Sequence, residues 1–469
     1  MSSKAASRAL KTIPFSVANA VEHGPRVGVL SPDGRLPIDT PHYLPVSSRG
    51  AVPHISQDNL RRHTSVGGIY TALEDCEPPI YGFRAAPDES ALRKFISLQT
   101  DALLVLGPRR IPPLACPVGS TSTSISIMTN LGFNTLECGE YVEAAQTLRP
   151  DVVIAMGDVL YGHQPGVKRA EKMGDRTQSW LNALINGLKD AESDTFNPAV
   201  FAPILPIDAE KQSWYLSALQ EDFRNDISGL VFYEIESVFE VPRSLKSLPR
   251  LWLGAVTGPL EILSQVAAGI DLFTLPFLND VTDAGIALDF AFGPNQDVAQ
   301  RSPAPLGLDL WSNSFAVDVT PLRQGCTCYT CTNHHRAYVH HLLDAKEMLA
   351  WVLLQLHNLA IMDAFFAAVR KSVSCGTFEQ DTADFEAYYE RQLPITTGQG
   401  PRARGYQFKS EGKGEPKKNP AAYRSLDDRK MRLAEAVRPS EKMEAADLEQ
   451  VGFAAMFDEH EGDEGREGD

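Results

Sequence analysis

Cysteine is scarce, seven in 469 residues. Four of them, Cys76, Cys116, Cys138 and Cys375, are scattered without the rhythm of a disulfide framework. That excludes a small cystine-stapled fold and points to a reducing compartment. No run of eighteen apolar residues occurs, so nothing in the chain reads as a membrane-spanning segment. Positive charge is in deficit: 44 Lys plus Arg stand against 60 Asp plus Glu, a formal charge of −16. A nucleic-acid binder with a wholly basic surface is thereby excluded, though a local basic face is not. No GxGxxG follows any strand-like segment, which removes the usual dinucleotide fingerprint. The first eleven residues hold Lys4, Arg8 and Lys11 and no acid. They faintly resemble a transit peptide, but a solvated start is the plainer reading.

The three remaining cysteines are clustered. Cys326, Cys328 and Cys331 form a CxCxxC turn after Gly325, and after twenty-five intervening residues a predicted helix carries His357. A zinc ion takes four soft or borderline ligands in a tetrahedron, and Cys₃His is one of its closed sets. With four protein ligands no position remains for water, so such a site is structural and not catalytic. Three ordinary buried thiols are the competing reading, which the tight spacing in a cysteine-poor chain weighs against. Spacing alone leaves the histidine open. His334, His335, His340 and His341 are all nearer to the turn. His334 and His335 follow it directly and suit a cap or solvent. His357 ends a long apolar run, where a polar ring needs a reason to be.

The rest of the chain alternates strands and helices. Residues 12–46 suggest short strands and turns, with SPDG as a turn signature. DALLVLG (101–107), DVVIAMGD (151–158), PAVFAPIL (198–205), ISGLVFYEI (227–235), LWLGAV (251–256) and IDLFTLPF (270–277) read as strands buried on both faces. Between them RTQSWLNALINGLKDA (176–191), residues 210–224 and PLEILSQVAAGI (259–270) have helical spacing. RSLKSL (243–248) is a short helical link. This many strand–helix units predict an α/β (β/α)₈ TIM-like barrel, with a doubly wound open sheet as second choice. From Gly293 the text is loop-like up to the zinc turn. Long helices then reach Ser374, and TADFEAYYERQL (382–393) reads as a closing helix. The expected organisation is a barrel over 12–375 that includes a zinc subdomain at about 322–375, a closing helix within 376–395, and a disordered tail over 396–469. That tail carries a basic run read as a solvated linker, a transient helix around RKMRLAEAV, and the acidic end FDEHEGDEGREGD.

CTCYTC, RAYVHHLL and LHNL together are similar to the zinc site of the tRNA-guanine transglycosylases. PRVGVL followed by IDTPHYLPVSSRGAVPHIS also resembles the opening of that family. The resemblance covers roughly residues 12–375, strongly from Pro249 to Ser374 and weakly from Gly50 to Leu131. It implies His357 as the fourth ligand, one structural zinc ion per subunit, and a zinc region that forms much of a dimer interface. Val339, Leu342, Leu343, Leu349, Val352 and Leu353 are then core or interface positions.

Active members of the family exchange a guanine in tRNA for another base by double displacement at the ribose C1′. An aspartate on a rigid strand end attacks and forms a covalent ribosyl-enzyme. The family carries it as the second aspartate of a segment close to Gly-Ile-Asp-Met-Phe-Asp. This chain reads GIDLFT, and the resemblance places Thr274 where the nucleophile belongs. Asp271 matches the family's first aspartate and stands an odd number of residues from 274, so on a strand it faces the other way. No Asp-Ser-Gly-Gly-Phe-Gln segment occurs between Tyr70 and Gly139, and LPFLNDVTDAGIALDF, without arginine, replaces the arginine-bearing loop after the nucleophile. In IAMGDV, register puts Gly157 where a guanine-reading aspartate would stand, leaving Asp158 as a helix cap or surface acid. The resemblance therefore implies a non-catalytic member, with no catalytic residue and no cofactor beyond zinc. It would pair as a heterodimer with the catalytic subunit of a queuine tRNA-ribosyltransferase and meet tRNA through that complex. The pair would insert queuine for guanine at the wobble position of tRNAs with GUN anticodons. A homodimer is the other assembly left open. The implied location is the cytoplasm, with association to the mitochondrial outer membrane through the family. A self-sufficient transglycosylase with an unrecognised nucleophile and a zinc-stabilised protein scaffold are the alternatives.

Overall fold

The structure, a computed structural model, describes residues 9–401 apart from 19–23, 77–88, 117–118, 130–131, 162–163, 192–195, 294–302 and 399. Residues 1–8 of the basic start and residues 399 and 402–469 of the expected tail, with its helix and acidic end, lie outside the described residues; the first residues of that tail are instead held to the fold, Thr396 Oγ1 donating to the Ala284 carbonyl at 2.7 Å and the Thr397 N–H to Asp309 Oδ2 at 2.9 Å.

Three short antiparallel strands come first: β1 (Phe15–Val17), β2 (Gly28–Leu30) and β3 (Ile38–Thr40). The barrel begins with β4 (His42–Leu44), β5 (Gly68–Ala72) and β6 (Leu103–Gly107). A hairpin of β7 (Ser124–Thr129) and β8 (Gly132–Glu137) intervenes. The barrel resumes with β9 (Val152–Ile154), β10 (Ala199–Pro203), β11 (Gly229–Phe232), β12 (Arg250–Trp252) and β13 (Leu272–Thr274). The eight barrel strands neighbour one another in chain order, all parallel, and β13 pairs with β4. The remaining seam joins Val46 to Tyr70: the Tyr70 N–H donates to the Pro45 carbonyl at 3.0 Å, and the Ser47 N–H to the Tyr70 carbonyl at 2.9 Å. With both edges joined, the (β/α)₈ expectation holds and the open sheet does not.

The strands read as unbroken apolar runs because both faces are covered. Leu44, Leu103, Val105, Ile154, Phe201, Val231, Leu251 and Leu272 fill the barrel interior. Their neighbours Tyr43, Leu104, Val153, Val200, Leu230, Trp252 and Phe273 pack outward against the helices. Those between the strands are α1 (Gln57–His63), α2 (Leu73–Cys76), α3 (Ala91–Phe95), α4 (Cys138–Leu148), α5 (Val167–Lys189), α6 (Ser213–Glu221), α7 (Glu236–Phe239) and α8 (Pro259–Ala267).

Two expectations are corrected. The helix expected at 176–191 begins at Val167, nine residues early, because its first turn is polar, exposed and uncapped by any side chain. The strand expected through Phe277 stops at Thr274; Pro276 starts a turn into α9 (Phe277–Asp283), which continues to β14 (Ile286–Leu288). The segment read as an arginine-free loop is therefore largely a helix and a strand. β14 pairs with β15 (Gly307–Asp309), and the last helices among the described residues are α10 (Tyr329–Asn333), α11 (Arg336–Asp344), α12 (Met348–Cys375) and α13 (Phe378–Tyr388). By composition α12 is long and apolar enough to cross a membrane, although Gln355, His357 and Asn358 interrupt its apolar run. Here it is a core helix, with Leu354, Leu359, Met362, Phe366 and Val369 fully buried. Phe366 stacks on Tyr43 and tilts against Phe273, both at 5.6 Å between centroids, which seats α12 on the outside of β4 and β13.

Candidate metal centre

The CxCxxC turn and α12 meet at one point. Cys326, Cys328, Cys331 and His357 bring three Sγ atoms and one ring nitrogen within 4.8 Å of one another. His357 Nδ1 lies 3.9 Å from Cys326 Sγ, 3.6 Å from Cys328 Sγ and 3.3 Å from Cys331 Sγ. Tetrahedral bonds of about 2.0–2.3 Å to nitrogen and sulfur put ligand atoms about 3.6 Å apart. The group is therefore spaced so that it could hold a metal ion. The other face of the ring explains the aim of Nδ1. His357 Nε2–H donates to the Leu288 carbonyl at 2.9 Å, so that the neutral ring turns its Nδ1 lone pair toward the sulfurs.

Asn358, the next residue, holds that carbonyl in place. Its side-chain amide donates to the Ile286 carbonyl and to Thr282 Oγ1, both at 3.0 Å, and its oxygen accepts from the Leu288 N–H at 2.9 Å. On the sulfur side, Thr330 Oγ1 donates to the Leu353 carbonyl at 2.7 Å and ties α10 to α12. The Cys331 N–H donates to Cys328 Sγ at 3.3 Å. Hydrogen bonds shared with Cys328 and Cys331 pull the Cys326 thiol far below its usual range, while the same sharing pushes Cys331 up. Burial acts to lower the His357 pKa, but hydrogen bonds to Cys326 and Cys328 outweigh it and raise it to about 9.

The nearer histidines are engaged elsewhere. His335 caps α11, its Nδ1 accepting from the Tyr338 N–H at 3.1 Å. His334 stacks on Tyr338, His340 Nδ1–H donates to the Leu310 carbonyl at 2.8 Å, and His341 is exposed. Of the apolar positions left open between core and interface, Val339, Leu342, Leu343 and Leu353 are buried, Val352 is half-buried and Leu349 is exposed.

The barrel strands place the other candidates. Thr274 ends β13, fully buried, and its hydroxyl donates to the Trp252 carbonyl at 3.0 Å. Asp271 lies at the opposite end of that strand. It is fully buried and paired with Arg26, whose Nε donates to Oδ1 at 2.8 Å, and it accepts from the Arg250 N–H at 2.7 Å. Asp158, expected as a cap or surface acid, is neither. It is 0% exposed and held by Arg169 at 2.6 Å and Arg176 at 3.1 Å. Neither partner was visible in the text, since they sit eleven and eighteen residues on, one and three turns into a helix whose start was misplaced.

A family model described as queuine tRNA-ribosyltransferase matches residues 22–391. The chain belongs to that family. The match takes in the four cluster residues and Thr274. Among curated family members, a Schizosaccharomyces pombe protein named queuine tRNA-ribosyltransferase accessory subunit 2 is 37% identical over 387 residues, 82% of this chain and 86% of that protein. Proteins of the same name from Gallus gallus and Xenopus tropicalis are 26% and 27% identical, each covering 76% of this chain and 93% and 95% of their own length.

Proposed function

We propose that this chain is a non-catalytic subunit of a queuine tRNA-ribosyltransferase. It would form a heterodimer with a catalytic subunit and support exchange of guanine for queuine at the tRNA wobble position. The carrying observation is the state of β13. Position 274, at the strand's C-terminal end where barrel enzymes keep their reacting groups, holds a neutral hydroxyl already spent on the Trp252 carbonyl. The acid of the same segment, Asp271, stands at the other end inside an ion pair with Arg26. The names of the relatives agree with this reading.

Within it, Cys326, Cys328, Cys331 and His357 hold one zinc ion. The donor set is the support: three thiolates and an imidazole select a soft, tetrahedral ion and leave no site for substrate. The ion would brace the turn against α12, close to the exposed Tyr329 and Leu349, where a partner subunit would pack.

The test is base exchange. Labelled guanine or queuine is followed into tRNA with this chain alone, with the catalytic subunit alone, and with both. Activity is expected only in the mixture. Incorporation by this chain alone would overturn the reading and restore a self-sufficient enzyme.

A further inference from the structure

We propose that residues 394–398 form a latch on the β14–β15 hairpin, and that this latch steadies the carbonyl that aims His357 at the metal turn. The family match ends at Arg391, so the latch lies beyond the matched residues.

The segment grips two points at once. Thr396 Oγ1 donates to the Ala284 carbonyl at 2.7 Å, just past the end of α9. The Thr397 N–H and hydroxyl both donate to Asp309 Oδ2, at 2.9 and 2.6 Å, where β15 ends. The Gly398 N–H returns to Thr396 Oγ1 at 3.2 Å and closes the turn. Gly398 sits against Trp311, and a Cβ there would run into the indole ring. Trp311 belongs to the same joint. Its N–H donates to Asp309 Oδ1 and its Nε1–H to the Ala284 carbonyl, both at 3.2 Å. One carboxylate and one carbonyl thus tie the latch and Trp311 to the base of the hairpin.

Asp309 stands opposite Ile286 in that hairpin, and Leu288 opposite Gly307. The Ile286 carbonyl accepts from Asn358, and the Leu288 carbonyl accepts from His357 Nε2–H. Backbone groups two residues apart on a three-residue strand do not shift independently. Freeing Asp309 and Ala284 therefore loosens the acceptor behind the histidine, and such acceptors set how firmly a ligating ring holds its ion. The latch is itself lightly seated. Thr397 is exposed, and Ile395 is 90% exposed. Polar contacts at an open surface, with little apolar burial, mark a segment that opens locally. Residues 402–469 follow, which places a releasable contact between them and the metal turn. The effect on the ion rests on the proposed zinc site; the effect on the hairpin does not.

The full-length protein would be followed by hydrogen exchange and mass spectrometry, zinc-loaded and after chelation. The forms compared are the parent, Gly398→Ala, Thr397→Val and, as control, Ile395→Thr. Gly398→Ala meets the Trp311 ring, and Thr397→Val loses the hydroxyl bond to Asp309. Both are expected to raise exchange across 286–288 about tenfold. Both should pass zinc to a chelating dye about threefold faster. Their metal-free forms should melt with the parent, which separates a loosened hairpin from a destabilised fold, and Ile395→Thr should change nothing. Unchanged exchange at 286–288, whether or not residues 394–398 come free, overturns the latch. So does zinc release at the parent's rate, or a clearly lower metal-free melting midpoint in both variants. A parent that takes up no zinc overturns the metal reading instead, and exchange at 286–288 in that same protein still decides the latch.

Discussion

Glu74 is 2% exposed, and burial raises its pKa to about 7 even with Arg110 beside it. Between pH 4.5 and 7 the unfolded chain loses this proton first, so the folded state binds more protons. Stability from this group therefore falls as pH rises through that window, by about 3 kcal/mol at most. Glu74→Gln is expected to flatten this slope and to melt at or above the parent at pH 8; a clearly lower melting temperature there would mean that the ionised pair with Arg110 stabilises the fold. Asn358→Ala should act differently. It leaves the Leu288 N–H and the Ile286 carbonyl unpaired, at a cost of roughly 2–4 kcal/mol by denaturant titration. It should also weaken metal affinity about tenfold or more, because the Leu288 carbonyl that orients His357 is released. The three cysteines of the cluster were legible because they lie within six residues of one another and are of one scarce type, whereas spacing alone left His357 open among five histidines. The residues that hold Asp158 and Asp271 were not: Arg26 is 245 positions from Asp271, and a lone arginine carries no signal of its partner.

At the scale of elements, α10 and α12 form a clip that the cluster locks. If the cluster holds the proposed ion, Cys328→Ser or a chelator should abolish metal binding and cost several kcal/mol. That is less than the roughly 10–16 kcal/mol of free zinc-finger peptides, since Thr330 and the packing of Leu353 and Leu354 already hold the helices together. Metal content by mass spectrometry and the shift of the melting midpoint check both halves. An unchanged midpoint after complete metal loss would contradict the clip. The strands that could be read from the text were those flanked by two apolar faces, such as Leu103–Gly107 and Ala199–Pro203. β5 was missed because Thr71 interrupts the apolar run of Gly68–Ala72 and the strand opens on a glycine, required where a Cβ would meet Leu103. β13 was overextended because nothing local separates a buried strand from the first turn of a buried helix except Pro276.

Across the whole molecule α12 links two regions that could otherwise behave as separate units. Near its start Leu353 and Leu354 join the cluster beneath the metal turn, and near its middle Phe366 lies on Tyr43 and Phe273 of the barrel. The metal turn and the barrel should thus melt in one transition, which chelation moves as a unit; a separate early phase in a circular-dichroism melt would show them to be independent. The pairing of β13 with β4 also sets an order of events on the ribosome. His42–Leu44 is made early, yet its partner Leu272–Thr274 follows more than two hundred residues later. At about 5–20 residues per second, that strand waits with an open hydrogen-bonding edge for roughly 10–50 s. The nascent chain is therefore a strong client for holding chaperones, and codon changes that slow translation between these two strands should lower the yield of folded protein without altering a single contact in it.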